Sequence, residues 1–405
     1  MNIISRITIC ITVHFTTSLN NYIISNSWNC FKQLGGAGLV DFYADLFHVL
    51  CNYSQELSLH EIATTKDSNH SHEIFKRKLN FSRLKEEEQM RRSQLMNDLH
   101  SLFYQSISSN DMEKEKKDRQ RVIAYAIPTC QFPSHLLSPN LCTDNEVIKN
   151  LITGTMRLTK NDTTMKSIAL RLSSAYLNPT NNFISLLQQF SQSKIESSSQ
   201  GHIAPSSGNY VHLMTAAVKS HGFAPKHQNR KKSFKDFVPF IFMELIKDFS
   251  SKFISNVNIL LYEREGWTFH SKGLWLTATI NNDSIMDNQS EEISKCNDAV
   301  LNTVCDHSII LATMIGSSNY GARSELLDIE SNCLLILNHD DISTDAKNSV
   351  RKLNSDLTNE WNNLNKYAKK INMSSVADDL VRPKDSLLLG LIAKRKVLKY
   401  IRRYC

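Results

Sequence analysis

The sequence predicts an α/β fold. Short apolar, β-branched segments typical of strands alternate along most of the chain with amphipathic segments at helical spacing. The 405 residues include 41% hydrophobic side chains, which suits a globular protein with a buried core. A chain of this length has room for roughly two or three domains.

Charge and cysteine content narrow the class of protein. A formal charge of +7 favours acidic partners such as phospholipid headgroups, nucleotides or nucleic acid, but it is equally typical of a mitochondrial or simply basic protein. The nine cysteines form no Cys-x-x-Cys pair, which argues against zinc and against a disulfide scaffold and indicates a reducing compartment. No apolar run reaches the ~20 residues that a membrane-spanning helix needs.

The first 120 residues combine apolar and highly charged segments. Residues 1–15 are apolar, with Arg6 as their one charge, and resemble a buried strand more than a targeting sequence, so we expect the chain to begin inside a domain. Val40 to Leu50 has the spacing of a packed amphipathic helix. Residues 61–120 are charged and predict an exposed helix and linker. The apolar side of that helix would use Leu84, Leu95 and Leu99.

The middle of the chain reads as strands and helices in alternation. A helix with an acidic first turn begins at Asp144, which suits the helix dipole. Ser167–Leu172 and Val211–Ala217 read as strands, and residues 191–208 read as a loop rich in Ser and Gln. Asn178-Pro179 is typical of a strand-to-helix turn.

A basic cluster stands between the second of these strands and a further helix. Lys226 opens the cluster, which reads either as a solvated loop or as a contact for lipid phosphates or a nucleotide. Phe237–Phe249 is predicted to be a helix and Asn258–Glu263 a strand.

A group of polar side chains further along carries the candidate chemistry. His270 and Lys272 are two residues apart, so on a strand both side chains point to the same face. With Ser317 and Asn319 one strand away, they form a phosphate pocket in which the ammonium supplies charge and the hydroxyl and amide supply hydrogen bonds. The imidazole can attack phosphorus or protonate a leaving oxygen, and Glu330 can hold its other ring nitrogen.

The remaining elements follow the same alternation. Strands 272–279 and 308–315 are predicted to form a hairpin around the polar segment 281–306, which we expect to be disordered. Residues 333–337 form another strand. Ser343 or Thr344 caps a long helix with its apolar side at Val350, Leu353, Leu357, Trp361, Leu364, Ala368 and Ile371. Residues 387–405 read as a basic amphipathic helix that either lies on an anionic membrane surface or packs against the core.

Two motifs identify a family. Gly-Trp-Thr-Phe-His-Ser-Lys-Gly-Leu-Trp-Leu at 266–276 and Ile-Gly-Ser-Ser-Asn-Tyr-Gly-Ala-Arg-Ser at 315–324 resemble the half-site of the phospholipase D superfamily. Their flanks resemble one family within it, the CDP-diacylglycerol–glycerol-3-phosphate 3-phosphatidyltransferases. The superfamily's usual Asp five residues after the Lys is Thr277 here, and the narrower family also lacks that Asp. The resemblance covers residues 120–380, and 30–60 weakly.

The resemblance implies a phospholipase D-like fold, a mixed sheet flanked by helices, with the second domain complete and the first partial. Residues 1–120 would be a remnant of the first domain with a linker, 121–380 the second domain, and 381–405 a basic C-terminal segment. The family's first His-x-Lys step, which carries the nucleophile, is absent from the 405 residues. Truncation explains this better than decay, because the second motif is intact.

The function implied by the resemblance is phosphatidyl transfer from CDP-diacylglycerol to sn-glycerol 3-phosphate, in phosphatidylglycerol and cardiolipin biosynthesis. His270 would be the acid/base partner, while Lys272, Ser317 and Asn319 stabilise the phosphorane, without a metal or cofactor. The location would be peripheral at the mitochondrial inner membrane, on an anionic surface, with no nucleic acid partner.

Four residues are candidate substrate contacts. Ala175-Tyr176-Leu177-Asn178-Pro179-Thr180 resembles the family's Gly-Tyr-Phe-Asn-x-Thr, so Tyr176 and Asn178 are expected near the cleft, together with Lys226 and Arg323. A phosphodiesterase of the superfamily and a non-catalytic lipid-binding relative remain as alternatives. With one motif histidine, the chain is expected to be inactive or weak alone, and whether two chains pair as a homo-oligomer to supply two imidazoles stays open.

Overall fold

Two compact units make up the chain in a computed structural model: residues 1–115 with 134–142, and residues 116–133 with 143–405. The residues that the structure describes are 37–53, 90, 93–95, 97–99, 101, 122–133, 143–158, 165–193, 208–224, 238–253, 256–280, 308–339 and 343–371.

The first unit is described mainly by one helix. α1 spans Ala37–Tyr53. Phe42, Leu46 and Leu50 are buried and four residues apart, so they lie along one side of the helix. The helix predicted from Val40 to Leu50 is therefore confirmed.

The second unit is built on one eight-stranded sheet. Its strands are β1 Ala124–Gln131, β2 Met165–Ser174, β3 Tyr210–Ala216, β4 Val257–Tyr262, β5 Lys272–Ile280, β6 Ser308–Gly316, β7 Glu330–Leu337 and β8 Ala368–Lys370. Their order across the sheet is β1-β7-β6-β5-β2-β3-β4-β8. The pairs β2–β3 and β3–β4 are parallel and all other pairs are antiparallel, so the predicted mixed α/β architecture is confirmed.

Helices cover both faces of this sheet. The helices of the second unit are α2 Asp144–Leu158, α3 Asn181–Gln192, α4 Val238–Ser250, α5 Ala322–Leu326 and α6 Thr344–Asn365. One hydrophobic cluster joins α2, α3 and α4 to the sheet and includes Ile152, Leu187 and Phe249. A second joins α6 to the opposite face, where the Trp361 and Trp275 rings meet edge to face at 5.4 Å. The sheet is thus the central layer of three.

Local signals account for where several elements begin. The Thr180 hydroxyl accepts a hydrogen bond from the Phe183 amide and so caps α3, directly after the Asn178-Pro179 turn. Ser343 caps α6 in the same way, through the Ala346 amide. Both boundaries agree with the turn and cap predicted from the sequence.

Two predictions at the sheet edges were incomplete or wrong. The helix predicted to continue through Ala368 and Ile371 ends at Asn365, and Ala368–Lys370 instead forms β8, an antiparallel edge strand beside β4. Helical spacing alone does not mark this end, because Ala368 is spaced like the apolar positions before it. The sequence analysis proposed no strand at Ala124–Gln131, which contains Pro128. The structure makes it the edge strand β1, where a missing amide hydrogen is tolerated.

Several predicted segments lie outside the described residues. These are the strand-like residues 1–15, the basic cluster that begins at Lys226, the segment 281–306 and the C-terminal segment 387–405. Among the helices that the structure does describe, none combines the length and the apolar character that crossing a bilayer requires.

Thr277 has a packing role on the face of the sheet away from Lys272. It lies on β5 five residues after Lys272, so the two side chains point to opposite faces of the sheet. On the α6 side, the buried Arg171 guanidinium donates to the Thr277 hydroxyl at 2.5 Å, and that hydroxyl donates to the Ala169 carbonyl at 3.2 Å. The position therefore supports packing on the face away from Lys272.

Candidate active site

The sheet topology brings the candidate residues to one end of the central strands, which we call the site end of the sheet. β2 ends where its antiparallel neighbour β5 begins, with Ser174 opposite Lys272. β6 is the antiparallel neighbour of β5 on the other side, so it finishes at the same end of the sheet, with Leu274 opposite Met314. The loops that follow β2 and β6 therefore flank the segment that leads into β5.

His270 and Lys272 lie side by side at the site end of the sheet. The Lys272 ammonium is 3.2 Å from His270 Nδ1 and 3.4 Å from Nε2, and it donates to the His270 carbonyl at 3.3 Å. Lys272 is only 4% exposed, whereas the imidazole is partly exposed. Lys272 is the first residue of β5, and His270 precedes the strand rather than lying on it. A buried cation beside an accessible imidazole suits an anionic ligand.

Ser317 and Asn319 lie in the loop after β6, where Glu330 holds both of them in place. The Ser317 hydroxyl donates to Glu330 Oε2 at 2.5 Å, and the Ser324 hydroxyl donates to Oε1 at 2.8 Å. Ser324 in turn accepts the Asn319 amide hydrogen at 3.2 Å. These contacts of Glu330 orient the loop, a role the sequence did not suggest, since Glu330 was expected to hold the imidazole.

Glu330 is also an unusual carboxyl group. Burial raises its pKa from 4.5 to about 7, although the hydrogen bonds from Ser317 and Ser324 and the positive charge of Lys272 oppose that shift. Near neutral pH, the group that positions Ser317 is therefore only partly ionised.

Glu330→Gln is expected to change how stability depends on pH. A carboxyl whose folded pKa is raised binds more protons in the folded state, so its contribution to stability falls as pH rises from 4.5 to about 7. Glutamine does not titrate, so the variant does not show this decrease in stability. As pH rises from 4.5 to about 7, the free energy of unfolding of Glu330→Gln should therefore increase relative to that of the wild type by up to about 3 kcal/mol, since one pKa unit corresponds to about 1.4 kcal/mol.

Urea titrations of both proteins at several pH values measure this difference. Glu146→Gln is the matched control, because Glu146 is exposed and its ion pair is with Lys149, one helical turn away. A difference between Glu330→Gln and wild type that stays flat across the window would contradict the expected titration.

A second buried network shapes the turn from Gly316 to Ser318. The Asn332 side chain accepts the Ser318 amide hydrogen at 3.3 Å and donates to the Asp144 carboxylate. A Cβ on Gly316 would collide with the Asn332 amide oxygen and the Ser331 carbonyl, so only glycine fits there. Burial raises the pKa of Asp144 to about 7. The sequence analysis missed Asn332 and Asp144 as supports of the turn.

The loop after β2 is tied to this same turn. The Ser174 hydroxyl donates to the Asn319 carbonyl, and the Ala322 amide donates to the Asn178 carbonyl at 2.7 Å. Asn178 is fully buried, and the Tyr176 ring lies edge-on to the His270 ring at 6.2 Å between centroids. Tyr176 therefore lies beside His270, whereas Asn178 is joined through its backbone carbonyl to the turn after β6, and the substrate contacts of both residues stay predictions.

His221 is a neighbour that the site prediction left out. Its ring lies 5.1 Å from the Tyr176 ring, which itself contacts His270, and it is 3% exposed. Nδ1 accepts the Phe223 amide hydrogen at 3.2 Å, and burial lowers the pKa to about 4, so the ring is neutral at physiological pH. The sequence signal was weak, a single histidine five residues after the end of β3.

The other two predicted substrate contacts are Arg323 and Lys226. Arg323 lies on α5 with its side chain 55% exposed and pairs with Asp328 at 3.1 Å. Lys226 lies outside the described residues. Their roles stay predictions.

The geometry can bind a tetrahedral anion and move one proton. The Lys272 ammonium and the Ser317 hydroxyl supply a positive charge and a hydrogen bond, and the partly exposed His270 supplies an acid or base. In the part of the chain that the structure describes, no three His, Cys, Asp or Glu side chains cluster in a way that could hold a metal ion.

Comparisons with known proteins agree with the motifs. No family model matches the chain. Over 114 residues, it is 29% identical to the CDP-diacylglycerol–glycerol-3-phosphate 3-phosphatidyltransferase of Saccharomyces pastorianus and 30% identical to that of Saccharomyces cerevisiae. The match takes in 28% of this chain and spans only 16% of the length of each relative.

Solved structures give more distant matches. Phosphatidylserine synthase of Haemophilus influenzae Rd KW20 matches with a TM-score of 0.46 and 13% identity, over 70% of this chain and 48% of that one. Nuc of Salmonella typhimurium, a phospholipase D family member, matches with a TM-score of 0.27 and 10% identity, over 62% of this chain and 99% of that one. Over the 114 matched residues, the chain is similar to the CDP-diacylglycerol–glycerol-3-phosphate 3-phosphatidyltransferases, which confirms the resemblance predicted from its motifs.

Proposed function

We propose that this chain carries one half-site of a phosphatidyltransferase, which moves a phosphatidyl group from CDP-diacylglycerol to sn-glycerol 3-phosphate and releases CMP. The observation that carries the proposal is the buried Lys272 ammonium, within 3.4 Å of both ring nitrogens of His270 and close enough to Glu330 to lower that group's pKa. The similarity to curated transferases supports the same reaction. The pathway is phosphatidylglycerol and cardiolipin synthesis, at an anionic membrane surface in the mitochondrion.

The proposed reaction has two steps. In the first, an imidazole forms a bond to phosphorus, the bond to the CMP oxygen breaks, and a second imidazole donates its proton to that oxygen. In the second, the glycerol 3-phosphate hydroxyl gives its proton to the second imidazole, its oxygen bonds to phosphorus, and the phosphohistidine bond breaks. We assign His270 the acid and base role, because in the resembling family the first half-site supplies the nucleophile.

The neighbours of His270 stabilise charge in both steps. As the phosphorus becomes pentavalent, negative charge grows on its equatorial oxygens, and prearranged donors lower the energy of that state. Lys272 supplies the positive charge and Ser317, oriented by Glu330, supplies a hydroxyl. Asn319 has its backbone held by Ser324 and Ser174, and we assign its side-chain amide a hydrogen bond to the phosphate oxygens.

The purified 405-residue chain is expected to form phosphatidylglycerophosphate only slowly, because His270 is its one histidine in a His-x-Lys step. One imidazole cannot occupy both sides of phosphorus at once. The measurement is incorporation of labelled glycerol 3-phosphate into lipid from CDP-diacylglycerol in detergent micelles.

Three outcomes separate the alternatives. Rapid product formation would contradict the expectation and would point to a further catalytic group, for which His221 is the first candidate. CMP release at the same rate without glycerol 3-phosphate would favour a phosphodiesterase. A rate that rises with the square of chain concentration would indicate that two chains pair and contribute two His270 side chains.

A further inference from the structure

Two loops run side by side next to His270. One, residues 218–224, follows β3, and the other, residues 263–271, joins β4 to β5. Ser220 ties them together, since its carbonyl accepts the Phe269 amide hydrogen at 2.8 Å and its hydroxyl accepts the Arg264 amide hydrogen at 3.1 Å. The two loops therefore form one fixed surface at the edge of the site.

Each loop presents one large aromatic side chain to solvent. Trp267 is 47% exposed and Phe223 is 42% exposed, whereas Trp275 and Trp361 are almost fully buried. We call Trp267 and Phe223 the aromatic rim. The Phe223 ring lies 6.0 Å from Tyr176, which contacts His270, and Trp267 precedes His270 by three residues. The rim thus borders the phosphate site.

The Trp267 ring is held in place by a cation. The Arg264 guanidinium lies 3.9 Å from its centroid and 4.6 Å from that of Tyr367. Within the described residues, no carboxylate lies within ion-pair distance of Arg264. Over the described residues of the two loops, the positive charges of Lys219 and Arg264 are balanced by Glu263, which pairs with Lys219 at 3.0 Å, and by the exposed Glu265. Electrostatic attraction therefore contributes little at the rim, and the rim would contact a partner mainly through its aromatic side chains.

We propose that the aromatic rim inserts into the headgroup region of a phospholipid bilayer and so presents His270 to lipid phosphates. Indole and phenyl rings favour this depth, and an arginine among them can meet a phosphate. The inference rests on the proposed function, in which the substrate phosphate lies in the headgroup layer. Because the rim carries balanced charge, this attachment depends on apolar contact and persists at high salt.

The test uses the full chain and phosphatidylcholine vesicles in about 0.5 M KCl, where attraction between basic segments and lipid is screened. Trp267→Ala and Phe223→Ala are each expected to lower vesicle partitioning by about 3- to 10-fold, as half-burial of an aromatic ring would contribute. Tyr125→Ala is the matched control. Tyr125 is 46% exposed but lies at the start of β1, at the opposite end of the strands from the site, so no change is expected.

Fluorescence reports insertion directly. Lipids brominated near the headgroup should quench the wild type more than Trp267→Phe, and matching thermal unfolding curves would show that the variants fold. Equal partitioning of Trp267→Ala and wild type, or no difference in quenching, would overturn the proposal. Quenching of Trp267 by CMP without vesicles would also overturn it and assign the ring to nucleotide. Rim-dependent vesicle binding, with equal affinity of Lys272→Met and wild type for CDP-diacylglycerol, would keep this inference and reject the proposed function.

Discussion

Lys272→Met is expected to weaken binding of CDP-diacylglycerol on the order of 10- to 100-fold, the usual effect of losing a hydrogen bond from a charged group. Methionine has a similar length but no charge, so the phosphate would lose its main cationic partner. The free energy of unfolding should stay the same or rise, because burying the ammonium opposes folding. Titration calorimetry with the lipid in detergent micelles measures the affinity, and urea unfolding measures the stability.

Lys252→Met is the matched control for that variant. Lys252 is a partly exposed surface lysine that pairs with Asp248, and its loss should leave the affinity unchanged. Equal affinity for Lys272→Met and wild type would remove Lys272 from the phosphate site. A large loss of stability would show instead that the ammonium mainly supports the fold.

Gly316→Ala is expected to destabilise the second unit by about 3 kcal/mol or more, because the added methyl group would overlap the Asn332 amide and the Ser331 carbonyl. The backbone of β7 cannot retreat without breaking its pairing with β6. Any folded variant should also bind CDP-diacylglycerol weakly, since Ser317 follows directly. Chemical unfolding and the same calorimetric titration measure the two effects.

Gly154→Ala provides the opposite control. Gly154 lies inside α2, and beyond the adjoining helix backbone no described atom is within 4 Å of the position an added Cβ would take. Alanine there should stabilise the protein by about 0.5–1 kcal/mol. If Gly316→Ala were as stable as wild type, the close approach of Gly316 to Asn332 would not exist in solution.

Most of the sheet could be predicted because its strands combine apolar, β-branched runs with clear boundaries. β3, β5 and β6 differ from the predicted ranges by one residue at most at each end. The two edge strands were harder. β8 has only three residues and is recognised through its pairing with β4, which no local pattern encodes. β1 contains Pro128, and its partner β7 lies far along the chain.

For the site, the motifs predicted which residues lie close together but not which hydrogen bonds keep them there. His270 with Lys272 and Ser317 with Asn319 could be expected together, because each pair comes from a short motif at the end of one of two neighbouring strands. Glu330 was assigned to the imidazole, although its oxygens accept from Ser317 and Ser324. The sequence offers no spacing rule for such a contact, since it depends on how the turn after β6 folds back onto β7.

The pairing of β1 with β7 has a consequence for how the protein folds. Thr129 donates to the Asn332 carbonyl across 203 residues of chain, and Asn332 donates to Asp144 across 188. Contacts between such distant residues form slowly, because the chain loses much entropy before it gains the contact. Asn332 shapes the turn that carries Ser317, so the phosphate pocket should be among the last parts to become ordered. During synthesis, the pocket cannot form until β7 has left the ribosome and met segments made long before it.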